Sequence, residues 1–373
     1  MSFFTKNIFS IPETSVIGID IGSSSLKIVQ IKKKKGKAVL ETYGELGLGP
    51  YNKLSVGQVV NMFPKDMALV ILDLIREAEI TTLKGGMSIP LKLSLVSVID
   101  VPPVSEAELA TMIPLEARKY IPVPISEVTM DWFVIPEPRD TSLEFIESED
   151  DTKKQIEENQ KRIHVLMVAI HNQVLNQYTT IVNETKLQTS FFEVEAFATA
   201  RASLSGESGP VMIVDFGASS LKLYIIDNGL LVSSHIINRG GQDITFSISK
   251  GLGITFDQAE HLKRSLGKSG VADEQKITEL INIHQEYVAS EVQTLLSAFQ
   301  KKFNKTIGKV LLTGGSSGLK GFLELMQKKL ACDVEYSMPF SKVETPAFLQ
   351  ETLKTTGLTF APAIGLALRA LQD

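Results

Sequence analysis

Two hydrophobic stretches of the chain share one pattern: an apolar strand, an Asp-x-Gly turn, a small-residue tract, a Lys and a second apolar strand. They read VIGIDIGSSSLKIVQI at residues 16–31 and VMIVDFGASSLKLYII at residues 211–226, with the same residue at eight of sixteen positions. Each pattern predicts a β-hairpin whose tight turn contains glycine and small polar residues. Because the hairpin occurs twice, once in each half of the chain, we expect two related lobes.

The hydrophobic spacing changes after the first hairpin. Apolar residues at helical spacing, from Met67 to Ala78, predict a core-facing helix of the first lobe. From about Ser88 the sequence becomes β-rich, and a capping box from Ser105 to Glu108 opens a further helix. Pro114 lies inside that helix, so we expect a kink or break near Ile113.

These changes predict an α/β fold of two duplicated lobes, each interrupted by an insertion. The first-lobe segments are expected at 1–87, 188–209 and 346–373. The second-lobe segments are expected at 210–240 and 307–345. The insertions are expected at 88–187, which is β-rich, and at 241–306, which is helical and ends in a long amphipathic helix with a core-facing stripe.

The two predicted turns carry candidate chemistry. Successive backbone N–H groups in such a turn form a concave site for anions, so we expect a polyphosphate between the lobes. Asp20 and Asp215 would face it through Mg²⁺ held largely by water, and Lys27 would add positive charge, with Lys222 in the equivalent place. The remaining residues expected to contact phosphate are Gly22, Ser23, Ser24, Ser25, Gly217, Ala218, Ser219 and Ser220. The alternative is a pair of ordinary Asx and serine turns.

A third segment, KVLLTGGSSGLKGF at residues 309–322, predicts a strand that ends in a glycine-rich loop. The absence of side chains there lets a nucleotide approach the backbone closely, which makes Gly314, Gly315, Ser316 and Gly318 candidates. In FDQAEHLKRS, Glu260 and Lys263 lie on one helical face and could hold a ribose or the edge of a base. The alternative for this pair is a surface ion pair.

Composition narrows the class of protein. The 373 residues are 43% apolar, which excludes a disordered chain, and the net charge of −5 does not suggest nucleic-acid binding. One cysteine allows no internal disulfide and favours a reducing compartment. No apolar run reaches about 18 residues. We therefore expect a cytoplasmic protein.

These motifs resemble the actin-like ATPase superfamily, and in particular its FtsA/PilM branch. The resemblance rests on DIGSSSLK, VPPVSEAEL, EARKYIPVPISEV, VEAFATARA and TGGSS, and spans nearly the whole chain. It implies two ribonuclease-H-like lobes that bind ATP and Mg²⁺, with residues 88–187 as the branch-specific subdomain.

For function, the resemblance implies a scaffold of the type IV pilus inner-membrane platform. The implied partners are other platform proteins and the N-terminal cytoplasmic peptide of PilN, which would hold the chain at the inner membrane indirectly. Self-association is a further expectation. The alternative is a filament-forming cytoskeletal ATPase similar to FtsA.

The sequence does not decide whether the chain hydrolyses ATP. Glu195 is the candidate for orienting the attacking water, with Glu193 second; the alternative is an acid that complements a helix N-terminus. Glu116, Arg118 and Tyr120 are the candidates for the edge of a partner groove, unless they only cap and pack their own helix. The charged tract 142–162 is expected to be a loop, and the lysines at 32–35 and 37 a solvated hairpin tip or a contact to anionic lipid.

Overall fold

The computed structural model describes residues 14–135, 163–207, 209–266 and 273–372. Within them the strands are β1 Ser15–Ile21, β2 Ser25–Lys34, β3 Lys37–Gly47, β4 Lys84–Ile89, β5 Ser94–Val101, β6 Val128–Val134, β7 Ile163–His171, β8 Gln188–Val194, β9 Val211–Phe216, β10 Leu221–Asp227, β11 Leu230–Ile237, β12 Lys309–Thr313 and β13 Asp333–Tyr336. The α-helices are α1 Pro64–Glu77, α2 Glu106–Ala117, α3 Asn172–Thr185, α4 Glu195–Ser203, α5 Gly241–Leu252, α6 Phe256–Ser265, α7 Glu274–Phe303, α8 Phe322–Lys329, α9 Gln350–Thr356 and α10 Ala361–Ala370.

The first lobe is built on a five-stranded sheet in the order β3-β2-β1-β4-β8. The β1–β2 and β2–β3 pairs are antiparallel, and β4 runs parallel to both β1 and β8. Helix α10 packs closely across β1 at Gly18. A Cβ at this position would lie only 1.9 Å from the Ala363 carbonyl oxygen, so the close approach depends on glycine. On the other face, α1 and α3 share a buried cluster with β1 and β2.

The second lobe repeats this arrangement with the order β11-β10-β9-β12-β13. The β9–β10 hairpin takes the place of β1–β2, and β12 lies parallel to β9 as β4 does to β1. Even the register is repeated, since Asp20 pairs with Lys27 and Asp215 pairs with Lys222. The predicted α/β class with two duplicated lobes is confirmed.

A three-stranded antiparallel sheet, β5-β7-β6, forms the inserted subdomain. Helix α2 begins at the predicted capping box, in which Ser105 and Glu108 bond each other's backbone N–H groups. Of the kink or break expected near Ile113, the break is wrong, because α2 continues through Pro114 to Ala117. Leu109, Ile113 and Ala117 are buried on both sides of the proline, and this packing offsets its missing hydrogen bond.

The inserted subdomain is shorter at both ends than the expected range 88–187. Residues 88 and 89 belong to β4, within the first-lobe sheet. Helix α3 lies against α1, and Tyr178 and Ile181 share the core of Val70 and Ile71. Helix α3 is therefore part of the first lobe, and the subdomain ends near His171. The charged tract 142–162 lies outside the described residues.

The second insertion consists of α5, α6 and α7. Val288, Val292 and Phe299 on α7 are buried in the core of the second lobe, Leu295 packs against it, and Phe303 is 42% exposed. No helix among the described residues is long and apolar enough to cross a membrane.

Candidate functional site

The two hairpin turns line one cavity of about 700 Å³ between the lobes. The structure brings most of the predicted residues to this cavity. They are Asp20, Gly22, Ser23, Ser24, Ser25, Lys27, Glu195, Asp215, Gly217, Ala218, Ser219, Ser220, Glu260, Lys263, Gly314, Gly315 and Ser316. Gly318, Glu116, Arg118 and Tyr120 do not line it.

The first turn closes with a hydrogen bond from the Gly22 N–H to the Ser25 carbonyl, 3.0 Å. The carbonyls of Ser23 and Ser24 accept hydrogen bonds from Val60 and Leu48, both at 2.9 Å. Within the described part of the chain, the N–H groups of Ser23 and Ser24 donate to no protein atom. Two backbone donors of this turn are therefore available to a ligand in the cavity.

The second turn has the same geometry, with a 3.0 Å hydrogen bond from the Gly217 N–H to the Ser220 carbonyl. The first residues of α5 secure it, since Gly241 and Gln242 donate to the carbonyls of Gly217 and Ala218. Over the described ranges, the N–H groups of Ala218 and Ser219 have no protein acceptor. Unpaired N–H donors thus line the cavity from both lobes, as a polyphosphate requires.

Asp20 is buried, and one of its oxygens, Oδ1, accepts a 2.7 Å hydrogen bond from the Ser88 hydroxyl. The same hydroxyl accepts from the Ile21 N–H at 3.3 Å. Ser88 belongs to β4, the parallel neighbour of β1. The sequence motifs do not point to Ser88, because nothing in its local sequence distinguishes it from other strand serines.

The lysines that follow the two turns have different surroundings. Lys27 Nζ lies 2.7 Å from Ser25 Oγ and 3.5 Å from Glu45. Lys222 Nζ lies 2.8 Å from Asp215 Oδ2 and 2.7 Å from Glu195 Oε2. Burial opposes a charge on Lys222, but these two carboxylates raise its pKa well above the ordinary value. Lys222 is thus engaged by two carboxylates, whereas Lys27 contacts a serine of its own turn and one carboxylate.

Both oxygens of the Glu195 carboxylate are occupied. Oε1 accepts from the Leu91 N–H at 2.8 Å, and Oε2 accepts from Lys222. Burial raises the pKa of Glu195; Asp215 and Asp20 add to the rise, and Lys222 opposes it. Glu195 lines the cavity at the first position of α4. A water-orienting role would require one of these bonds to be exchanged.

Glu193, the second candidate acid, lies away from the cavity. Its carboxylate receives two hydrogen bonds from Arg201, both at 2.8 Å, and one from Arg369 at 2.9 Å. The buried Glu193 and the two partly exposed arginines join β8, α4 and α10. The contacts of Glu193 indicate a structural role.

The glycine-rich loop after β12 lies against the second turn. Gly314 has φ +84°, and a Cβ there would lie 2.6 Å from Asp215 Oδ1 and 2.7 Å from the Phe216 carbonyl oxygen. Only glycine therefore allows the loop to approach the aspartate. The adjacent Thr313 hydroxyl donates a 2.8 Å hydrogen bond to the Leu358 carbonyl, and this bond helps to hold the start of the loop in place.

Glu260 and Lys263 form a buried pair with 2.7 Å between Oε2 and Nζ. Thr245 Oγ1 lies 2.6 Å from the same Glu260 oxygen, and Arg264 Nε lies 2.7 Å from Oε1. Burial opposes ionisation of Glu260, but these partners outweigh it and lower the pKa. Burial also lowers the pKa of Lys263, against the attraction of Glu260. The surface ion pair considered from the sequence is wrong, because both side chains lie in the cavity wall.

The side chains available as metal ligands determine how a metal ion could be bound. In the part of the chain that the structure describes, no three His, Cys, Asp or Glu side chains form a group suited to a metal ion. A cation between Asp20 and Asp215 would therefore depend on phosphate and water oxygens. Mg²⁺ is normally bound in this way, with one or two carboxylates and its own water.

The family model described as type IV pilus assembly protein PilM matches residues 18–371. The chain belongs to the PilM family. It is therefore a type IV pilus assembly protein with an actin-like fold.

Among solved structures, the PilM-PilN type IV pilus biogenesis complex superimposes with a TM-score of 0.78 and 23% identity, covering 97% of this chain and 100% of that one. An archaeal actin homolog gives a TM-score of 0.51 at 11% identity, over 96% and 100% of the two chains. At 23% and 11% sequence identity, these two superpositions establish the shared fold alone.

Curated relatives of this PilM-family chain include the cell division protein FtsA. The Bacillus subtilis (strain 168) protein is 24% identical over 263 residues, 63% of this chain and 57% of FtsA. The Rhizobium meliloti (strain 1021) protein is 23% identical over 231 residues, 55% and 50% of the two chains. The chain thus spans about half the length of the curated relatives that it matches.

The predicted partner residues lie at the end of α2. Glu116 is half-buried and paired with Lys119, 2.5 Å from Oε2 to Nζ. Arg118 is exposed, and Tyr120 is 46% exposed. Leu115, on the same helix, is 55% exposed.

Proposed function

We propose that this chain is an ATP- and magnesium-binding scaffold of the type IV pilus inner-membrane platform. The observation that carries the proposal is the cavity between the lobes, where unpaired backbone N–H groups of two duplicated turns meet Asp20 and Asp215. Neutral donors from both lobes suit a ligand with several phosphates, and the carboxylates suit its accompanying cation.

In this proposal the phosphates lie between the turns at Ser23–Ser25 and Ala218–Ser220, and Lys27 contributes positive charge. The nucleoside lies toward Gly314 and Gly315, with Glu260 and Lys263 available to its hydroxyls or base edge. Mg²⁺, when bound, neutralises phosphate charge between Asp20 and Asp215. Nucleotide binding would then set the angle between the lobes, because each lobe supplies half of the ligand contacts.

Isothermal titration with ATP and Mg²⁺ tests the proposal. Asp20→Ala and Asp215→Ala are each expected to weaken Mg²⁺-dependent ATP binding by at least about tenfold, since a charge-assisted contact is worth about 1.5–3 kcal/mol. Asp66→Ala, which removes an exposed carboxylate of the same lobe as Asp20, is the matched control and should bind like the parent chain. Unchanged affinity in both cleft variants would refute the site.

The N-terminal cytoplasmic peptide of PilN is the proposed partner, and it would hold the chain at the cytoplasmic side of the inner membrane. A groove between the inserted subdomain and the first lobe would accept a short, extended, apolar segment through main-chain and pocket contacts. The exposed Arg118 and Tyr120 are its proposed edge, whereas Glu116 would act through its pairing with Lys119.

Point variants test this groove better than a deletion of 88–187, because that deletion also removes Ser88 and α3 from the first lobe. Fluorescence anisotropy with a labelled PilN N-terminal peptide should show at least about fivefold weaker binding for Tyr120→Ala, since an aromatic anchor contributes about 1 kcal/mol or more. Tyr51→Ala, on a first-lobe tyrosine that is 42% exposed, is the control. Equal binding by the parent chain and Tyr120→Ala would place the groove elsewhere.

A further inference from the structure

The segment between β3 and α1 crosses from the first lobe toward the second. We define residues 53–61 of this segment as the strap. The chain attaches to the first phosphate turn before the strap and again within it. Leu48 N–H, ahead of the strap, donates to the Ser24 carbonyl, and Val60 N–H donates to the Ser23 carbonyl, both at 2.9 Å. The position of the strap therefore depends on the same turn whose N–H groups face the cavity.

A hydrogen bond also connects the strap directly to the second lobe. Val59 N–H donates to Gln242 Oε1 at 3.1 Å. The Gln242 N–H in turn donates to the Ala218 carbonyl of the second phosphate turn, 3.0 Å. Two adjacent strap amides thus connect the turns of opposite lobes, Val60 to Ser23 and Val59 through Gln242 to Ala218.

A second contact lies at Gly57. Its φ is +90°, and a Cβ at this position would lie 2.8 Å from both Cδ and Oε1 of Glu260. Glycine is therefore required for two reasons, a backbone conformation that other residues rarely adopt and the close approach to the carboxylate. Val56, Gly57, Val60 and Asn61 line the cavity together with Glu260 and Gln242.

We propose that the strap fastens the two lobes over the cleft and controls nucleotide exchange, with Gly57 and Gln242 as its positioning residues. The inference rests on the proposed function, because it takes the ligand to span the two turns and Glu260. Such a ligand lies in the cavity that the strap helps to wall. Its entry and release then require the Val59–Gln242 hydrogen bond and the Gly57–Glu260 contact to open.

Stopped-flow kinetics with a fluorescent ATP analogue and Mg²⁺ test the first contact. In Gln242→Ala, association and release should both be roughly threefold to tenfold faster, as expected for the loss of one hydrogen bond, with a smaller change in affinity. Gln275→Ala, which removes an exposed glutamine of α7 away from the cavity, is the control and should keep the parent rates. Unchanged rates in Gln242→Ala would overturn the proposal, and so would weaker affinity without faster association.

A matched glycine pair tests the second contact. Gly57→Ala adds a methyl group against Glu260, whereas Gly206→Ala adds one at φ +92° with no atom within 4 Å. Both variants carry a similar backbone strain, but only Gly57→Ala presses on a carboxylate of the cavity wall. Faster association together with faster release in Gly57→Ala alone supports the strap, since a lost contact between Glu260 and the nucleotide would speed release without speeding association. Faster release without faster association, or equal behaviour of the two variants, contradicts it.

Hydrogen exchange without nucleotide separates this inference from the proposed function. The amides of Val59 and Val60 should exchange faster in Gln242→Ala than in the parent chain, and equal exchange would overturn the cross-lobe contact. Absence of MgATP binding by the parent chain would instead refute the proposed function. If the parent chain binds MgATP and the variants show unchanged rates of nucleotide association and release, the strap is refuted and the proposed function is not.

Discussion

The ammonium group of Lys222 donates a hydrogen bond to Glu195, 2.7 Å from Nζ to Oε2, across the boundary between the lobes. Lys222 lies on β10 of the second lobe, and Glu195 begins α4 of the first. The same ammonium group lies 2.8 Å from Asp215. The acid expected to orient water is therefore held by a cation and by the Leu91 N–H.

This pairing predicts slow ATP turnover, well below the typical enzyme rate of about 10 per second. A base whose oxygens are both engaged is poorly placed to orient water. Phosphate release from the purified chain with ATP and Mg²⁺ measures the rate. Brisk turnover that is abolished in Glu195→Ala would contradict this expectation and place the protein among the enzymes.

Ser88→Ala should weaken Mg²⁺-dependent ATP binding by roughly threefold to tenfold, because Asp20 loses the hydroxyl donor that orients it. The effect should be smaller than that of Asp20→Ala. Titration calorimetry compares the two variants, with Ser94→Ala, a serine bonded to the Leu91 carbonyl instead, as the control. Parent-like affinity in Ser88→Ala would show that Asp20 needs no such support.

Glu193→Gln should lower the free energy of unfolding by about 2–3 kcal/mol, because it leaves Arg201 and Arg369 without their carboxylate. ATP affinity should be unchanged, since Glu193 does not line the cavity. Urea unfolding and calorimetry on the same sample measure both quantities. Loss of ATP binding in a variant that keeps its stability would assign Glu193 to the site instead.

The stability supplied by Glu260 should depend on pH in the acid range. Its pKa is lower in the folded chain than the ordinary value of 4.5, so its contribution is present above about that pH and is lost as the pH falls through the folded value. Glu260→Gln should thus cost roughly 1–3 kcal/mol near neutral pH, with a difference from the parent chain that shrinks on acidification.

Unfolding curves of the parent chain and Glu260→Gln at several pH values measure this dependence. Glu324→Gln, on an exposed glutamate, is the control and should follow the parent chain throughout. A difference between Glu260→Gln and the parent chain that grows on acidification would have the wrong sign and exclude the ion pair as its source.

The sequence by itself determined the duplicated lobes and most of the cleft composition. A hairpin turn that presents free N–H groups needs glycine and small residues at fixed positions, so Gly22 and Gly217 with their serines are visible as a local repeat. The capping box at Ser105 is local in the same sense. Information contained within a few neighbouring residues can be read without knowing the fold.

Only the tertiary structure decided which groups these motifs meet. Asp20 and Ser88 are 68 residues apart, and Val59 and Gln242 are 183 residues apart. Lys222 and Lys27 hold equivalent places in the repeat, yet Glu195 reaches only Lys222, because α4 begins beside β10. Likewise, α3 follows the subdomain in sequence but packs on α1. Hydrogen bonds and packing of this kind depend on the spatial arrangement of distant segments, which local residue patterns do not encode.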